Sequence, residues 1–306
     1  MKHIKTIIPY LFWLLVLAFL VLYLRTIDYA MLSNTTFEWG LVTAALVVSI
    51  GARYWGANVW LIILRSLGAE NIRYSRELVH VYAKSWLGRY IPGTAPWILG
   101  KIYFAAQKGV SKQKLAVGSL LEAMLQVLTQ LIIALCLILL GTGATISDPF
   151  IGAIVIVSLV VFSVLLIPRV FNFFLQKAYR MVRKKDFPSE HLATFTVIKR
   201  GFLLYLITAA EAGVVLYLTS VAIGLPVEAT DLTYLIGATT LAGAVGMLAI
   251  FVPSGIGVRE GVLIALLAPV IGVENAVVVT IATRIISVIT DLLFYVFSVI
   301  AIRFKK

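Results

Sequence analysis

Residues Phe251-Val252-Pro253-Ser254-Gly255-Ile256-Gly257-Val258-Arg259-Glu260 interrupt an apolar run that extends from Thr233 to Ile271. Proline lacks a backbone N–H and glycine tolerates unusual dihedrals, so helical hydrogen bonding is expected to stop between Pro253 and Gly257. Irregular backbone at membrane depth survives only where it is buried in protein or lines a wet cavity. A half-helix beginning just behind such a break turns free N–H groups and a positive dipole end towards that cavity. Arg259 stands at this start, and the stretch reads as an anion site. Glu260 beside it either neutralises Arg259 in part or accepts from a cationic headgroup.

Composition places the run in a membrane. Of 306 residues, 61% are hydrophobic and 13% charged, and the mean hydropathy is +1.01. A soluble domain carries about 25% charged residues to keep its surface wet. The chain has too few polar side chains for that, so it reads as an integral membrane protein. Its six Trp, 13 Tyr and 16 Phe suit the headgroup level of a bilayer. The net charge of +12 is read as loop charge that orients helices. No basic stretch is long enough for a soluble nucleic-acid-binding domain. Cys136 is the single cysteine, so no intrachain disulfide forms.

About 20 apolar residues cross a bilayer as a helix. Six runs qualify: Ile7–Leu24, Trp39–Leu64, Leu115–Leu140, Ile151–Ile167, Phe202–Ile223 and Ala276–Ile302. The first has no small-residue cleavage site behind it and reads as a retained helix. Leu78–Gln107 is broken near Ile91-Pro92-Gly93, as Thr233–Ile271 is at Pro253–Gly257. The expected fold is therefore an all-α integral membrane protein with six full transmembrane helices and two broken or re-entrant hairpins, about eight hydrophobic spans. With the N-terminus inside, inner segments hold Lys2 and Lys5, Arg65 to Arg76, the group from Arg169 to Arg200, and Arg303 to Lys306. Outer loops hold Arg25 against Asp28, Glu38, Asp148, Glu228 and Asp231. This lysine and arginine bias puts both termini on the cytoplasmic side of the cytoplasmic membrane. The connection Pro168–Arg200 reads equally well as a plain basic loop or as an interfacial helix on anionic lipid.

The two breaks belong to an internal duplication. Tyr90-Ile91-Pro92-Gly93 parallels Phe251-Val252-Pro253-Ser254-Gly255, and a cation follows each, Lys101 and Arg259. Gly109-Val110 then parallels Gly272-Val273, and each leads into a long apolar helix with an internal charge, Glu122 and Arg284. The helix before each break carries another, Arg53 and Glu211. The chain divides into a first helix and outer loop (1–38), repeat unit 1 (39–140), a connecting helix and basic inner loop (141–201), and repeat unit 2 (202–306). Loop charges give the two units opposite orientations, an inverted-repeat arrangement like that of transporters, with a site near the midplane.

An ionised side chain at the centre of a membrane helix costs roughly 3 kcal/mol, so such residues are read as paired and functional. Arg53, Glu122, Glu211 and Arg284 can neutralise one another where the units meet, and Asp291, two turns beyond Arg284, shares that role. The alternative is an ion-pair cluster that only fixes helix register. Arg89, Lys101, Arg259 and Glu260 form the expected headgroup and phosphate site, at breaks made by Pro92, Gly93, Pro253, Gly255 and Gly257. No catalytic equipment is legible. The three histidines have no metal-site spacing, and there is no Walker A loop and no Gly-x-Ser-x-Gly elbow. The chain is read as a non-enzyme without cofactor or metal.

At Ile91-Pro92-Gly93 through Lys101, Gly109-Val110-Ser111 to Glu122, and Phe251 through Glu260, the sequence resembles the lysylphosphatidylglycerol synthase transmembrane family, flippase-like membrane domains of bacterial resistance factors and stand-alone relatives. Its departures are Thr94-Ala95-Pro96-Trp97, in place of a more polar stretch, and Lys101, where arginine is usual. The aminoacyl-transferase domain of full-length synthases has no counterpart here. The resemblance thus implies lipid translocation without aminoacylation. The expected function is a flippase or scramblase for an anionic or phosphate-linked lipid: a phospholipid, an aminoacyl-phospholipid or a polyprenyl-phosphate. The alternatives are a secondary transporter of a small anion, or a membrane scaffold for a lipid-synthesis enzyme. Membrane lipids are the expected partners, with a second copy of the chain or a lipid-synthesis enzyme left open and nucleic acid not expected.

Overall fold

A chain in lipid must satisfy its backbone hydrogen bonds internally, and helices do this within one segment. The computed structural model describes residues 36–68, 75–91, 95–140, 149–249 and 252–304, with Leu14, Leu15, Ala18, Val21 and Arg25. No strand occurs among the described residues. The expected span Ile7–Leu24 lies largely outside them, and Pro92 and Gly93 lie outside them altogether.

The helices are α1 (Trp39–Ser66), α2 (Arg76–Trp86), α3 (Ala95–Ala106), α4 (Lys112–Leu140) and α5 (Pro149–Leu165), followed by α6 (Pro168–Arg183), α7 (Phe195–Ala222), α8 (Leu232–Leu248), α9 (Val258–Ile271) and α10 (Val273–Arg303). Ser75 Oγ accepts from Leu78 N–H to start α2, and Thr194 Oγ1 accepts from Val197 N–H to start α7. Gly109 (φ 84°) and Gly272 (φ 82°) make the turns before the long helices α4 and α10, a conformation that L-residues resist.

Among the described residues, five helices are long and apolar enough to cross a membrane: Trp39–Ser66, Lys112–Leu140, Phe195–Ala222, Ala229–Leu248 and Val273–Arg303. A sixth span results if Pro149–Leu165 and Pro168–Met181, which meet at 76°, are taken together. The protein is a multi-pass membrane protein.

The structure departs from the expected spans in two places. The expected run Ile151–Ile167 belongs to the 17-residue helix Pro149–Leu165, which has no buried residue, and the chain bends before Pro168. The two broken stretches are also unlike each other. Helices α2 and α3 have only 11 and 12 residues, and α2 carries Arg76, Glu77, His80 and Lys84. Helix α8 carries no charge, and with the turn before it crosses as a full span, leaving only α9 short at 14 residues.

Helix α4 is central and packs against α1, α3, α7 and α8, while α10 packs against α1, α2, α7 and α9. Lipid tails are as apolar as leucine, so association depends on close approach at small residues. A Cβ on Gly213 of α7 would lie 2.1 Å from Ile236 Cγ1 of α8. One on Gly237 of α8 would lie 3.1 Å from the Ile138 backbone nitrogen of α4. These contacts draw α4, α7 and α8 together. The Pro168–Arg200 connection is not a plain loop: in α6, Phe171, Leu175 and Tyr179 recur every four residues and bury one face, while Phe173 and Met181 stay exposed.

Candidate functional site

Two interruptions in the helices touch each other. The 3₁₀ turn Leu87–Tyr90 ends α2, and the turn Pro253–Gly255 precedes α9. Arg89 of the first turn donates from Nε to Ser254 Oγ at 2.9 Å. Arg284 of α10 donates from Nη2 to the Ser254 carbonyl at 3.3 Å. Ser254 is left-handed (φ 52°), a strained conformation for a residue with a Cβ, and these two arginines hold it there.

Asp291 of α10 is the buried anion beside this junction. Its Oδ1 accepts from Arg53 Nε at 2.6 Å and from Trp86 Nε1 at 3.0 Å. Its Oδ2 accepts from Tyr90 Oη at 2.8 Å and lies 3.9 Å from Arg89 Nη1. Arg53 also donates to Ser287 Oγ at 3.2 Å. Both guanidinium groups sit over the Trp86 ring, at 5.3 and 4.9 Å. Arg53 is thus held within the bundle and does not extend to the interface.

Glu122 and Arg284 do not pair with each other. Helix α4 packs on α3, and α10 packs on α9, so each charge finds its partner on that neighbour. Glu122 pairs with Lys101 of α3, and both are essentially without solvent exposure. Trp97, Tyr82 and Trp60 surround the ammonium at 4.0, 5.4 and 5.9 Å. Lys101 therefore stands enclosed behind the cavity wall, away from its surface. Arg284 Nε lies 3.3 Å from Glu260 Oε1, and Glu260 Oε2 accepts from Gly257 N–H at 2.7 Å. One carboxylate thus caps α9 and neutralises α10 at once.

A cavity of about 210 Å³ opens between α1, α4, α7, α8 and the two turns. Of the residues picked out by sequence, Arg53, Arg89, Glu122, Glu211, Gly255 and Arg259 line it together. Arg284 and Glu260 flank it in a smaller recess that Arg259 also lines. Arg259 has no ion-pair or hydrogen-bond partner among the described residues; Arg284, Arg89 and Arg53 repel it and Glu260 attracts it. Glu211 Oε2 likewise finds no hydrogen-bond partner. No group of three His, Cys, Asp or Glu residues able to hold a metal ion occurs among the described residues.

Several lining residues were not picked out by sequence: Trp86 and Trp97, Gln126 and Gln130, and Thr208 and Thr240. A signal for some was present. Glu122, Gln126 and Gln130 recur every four residues through an apolar helix, a polar stripe on one face. Thr208 and Glu211 make a shorter stripe on α7.

Gly255 shows why the break needs glycine. Its φ is 68°, and a Cβ there would lie 2.7 Å from the Gly246 carbonyl oxygen and 2.8 Å from Gly246 Cα, both rigid backbone. Gly255→Ala is expected to lower stability by about 2–3 kcal/mol through this overlap. Gly257 has a φ of 79° but open space around a Cβ, so Gly257→Ala should cost only about 1–2 kcal/mol of backbone strain. Thermal unfolding of the two variants in detergent checks the order, and equal losses would remove the packing argument.

The family described as lysylphosphatidylglycerol synthase TM region matches residues 7–294. None of the curated proteins matches the chain.

Proposed function

The chain belongs to the lysylphosphatidylglycerol synthase transmembrane family, and from that premise we propose that it is a flippase or scramblase for an anionic or phosphate-linked lipid of the cytoplasmic membrane. The observation that carries this reading is Arg259, a guanidinium unpaired among the described residues and facing a cavity inside a membrane bundle. Arg259 feels the Glu260 carboxylate only at a distance, since Glu260 pairs with Arg284, so a phosphate arriving from the lipid supplies the direct counter-ion that an intramembrane cation needs. Arg53 and Arg89 share Asp291 and stand beside it as secondary cations. Headgroups pass through the cavity while acyl chains stay in lipid. The 306 residues carry no Walker A loop, so movement is downhill or ion-coupled.

The units 39–140 and 202–306 act as inverted halves around this cavity. In support, each runs from a long helix through a broken segment to another long helix, with a positive-φ glycine before the last. Basic residues on α6 and at the end of α10 favour both termini on the cytoplasmic side.

The test is exposure of a fluorescent anionic phospholipid in proteoliposomes, alongside uptake of a labelled soluble phosphate. Faster lipid exposure than in empty vesicles is expected. Solute uptake without lipid movement would support the small-anion transporter instead, and neither activity would leave a scaffold. Gly243 supplies a further handle, since it lines the cavity with no atom within 4 Å of a built Cβ. Gly243→Leu should fill the path and slow lipid exposure about tenfold. Helix stability should hold or rise, since Gly is about 1 kcal/mol worse than ordinary residues in a helix. An unchanged rate would place the path elsewhere.

A further inference from the structure

Gln130 of α4, Thr208 and Glu211 of α7 and Thr240 of α8 all line the cavity, on three helices that pack on one another. Gln130 Oε1, Thr208 Oγ1, Glu211 Oε2 and Thr240 Oγ1 each lack a hydrogen-bond partner among the described residues. Gln130 and Thr240 are 8% and 3% exposed, so water does not serve them freely. Threonine in a membrane helix ordinarily satisfies itself on the carbonyl four residues back. Thr219 and Thr283 do so, at 2.7 and 2.6 Å, whereas Thr208 and Thr240 do not. Thr129, Thr280 and Thr290 also do not, but only Thr208 and Thr240 line the cavity beside an unpartnered amide and carboxylate oxygen. Leaving such groups unsatisfied is destabilising, so a cluster of them around a cavity points to a ligand that completes it.

The charges say which ligand. Lys101 cancels Glu122, and Arg284 cancels Glu260. Arg53, Arg89 and Arg259, set against Asp291 and Glu211, leave one formal positive charge at the cavity among the described residues. A phosphodiester brings one negative charge and closes that balance if the rest of the headgroup is neutral. An amine on the headgroup would leave the loaded site positive inside the membrane, which is costly. Hydroxyls donate and accept, as a set of amide, threonine and carboxylate groups requires, whereas an ammonium only donates.

We infer that the wall formed by Gln130, Thr208, Glu211 and Thr240 is a subsite for a neutral polyhydroxylated group, a glycerol, inositol or sugar ring, joined to the phosphate that Arg259 holds. This rests on the lipid reading of the cavity and narrows it to uncharged polyol headgroups.

The test uses dihexanoyl phosphatidylinositol, phosphatidylethanolamine and phosphatidylmethanol with the full chain in amphipol. All three are phosphodiesters on one backbone, and binding is read from the fluorescence of Trp86 and Trp97 in the cavity wall. Phosphatidylinositol should bind about tenfold more tightly than phosphatidylmethanol, and phosphatidylethanolamine no better than phosphatidylmethanol. Thr240→Val and Gln130→Leu should each erase the preference, while Thr240→Ser keeps it. Tightest binding of phosphatidylethanolamine would overturn the inference. So would a Thr240→Val variant that weakens all three lipids alike. Loss of the preference in the unaltered protein, with phosphatidylmethanol still bound, removes the subsite alone. No binding of any of the three removes the anion site with it.

Discussion

Arg259→Gln is expected to slow lipid exposure in proteoliposomes by about a hundredfold while the protein folds normally. The size follows from the setting. Arg259 faces the cavity without a partner among the described residues, so its hydrogen-bonding capacity is available to an incoming phosphate. A charge-assisted contact of this kind is about twice as strong as a neutral one. Folding should not suffer, because repulsion from Arg284, Arg89 and Arg53 acts on Arg259 against the single attraction of Glu260, and its removal relieves that repulsion. Arg259→Lys should retain part of the rate, since it keeps the charge but loses the planar fork that engages two phosphate oxygens. The measurement pairs exposure rate with thermal unfolding for each variant. A folded Arg259→Gln protein that moves lipid at the unaltered rate would remove the phosphate role of this residue.

The largest effect on stability is expected at the enclosed pair. Glu122→Gln leaves the Lys101 ammonium buried with no opposing charge, a change worth about 3–5 kcal/mol. The cation–π contacts to Trp97 and Tyr82 remain but do not replace an anion. Exchanging the charges, with Lys101→Glu and Glu122→Lys, should recover part of the loss. Replacing both residues with apolar ones of similar size should come near the unaltered stability, because a buried pair and a well-packed apolar contact are often close in energy. Thermal unfolding of the two single variants, the exchange and the apolar double variant measures the coupling. If Glu122→Gln melts with the unaltered protein, the ammonium must have another means of neutralisation. The same exchange between Glu122 and Arg284 should rescue nothing, since those residues belong to different pairs.

The broad form of the fold was legible because the bilayer imposes a simple rule on sequence. The runs at Trp39–Leu64, Leu115–Leu140 and Ala276–Ile302 each fall within a long helix, and Phe202–Ile223 overruns its helix by one residue. Both interruptions were visible as proline with glycine close behind, and the described backbone leaves the helix at Tyr90 and again at Ala249. Span length was harder to judge. Helix α5 ends at the bend before Pro168, and α8 crosses alone although its run continues through the break into α9. Continuous hydrophobicity does not say where a chain turns.

For the candidate site, residue type was informative and pairing was not. A charge inside an apolar run is conspicuous, so Arg53, Glu122, Glu211, Arg284 and Asp291 could all be named from the sequence. Their partners could not, because Arg53 and Asp291 are 238 positions apart and meet only through the packing of α1 on α10. Glu260 was read beside Arg259, its neighbour in sequence, yet its carboxylate turns to Arg284 and to the start of α9. Neutral lining groups such as Thr208 and Thr240 gave little sign, since a threonine in a membrane helix usually bonds its own backbone.

Sequence alone therefore determined that this chain lives in a bilayer, where its helices break, and which ionisable groups it carries into the apolar phase. Those are properties of single segments against a uniform solvent. Only the tertiary structure decided which charges cancel and which one is left facing the cavity. That outcome depends on the rotation and depth of helices packed a few ångströms apart, and local composition does not encode it.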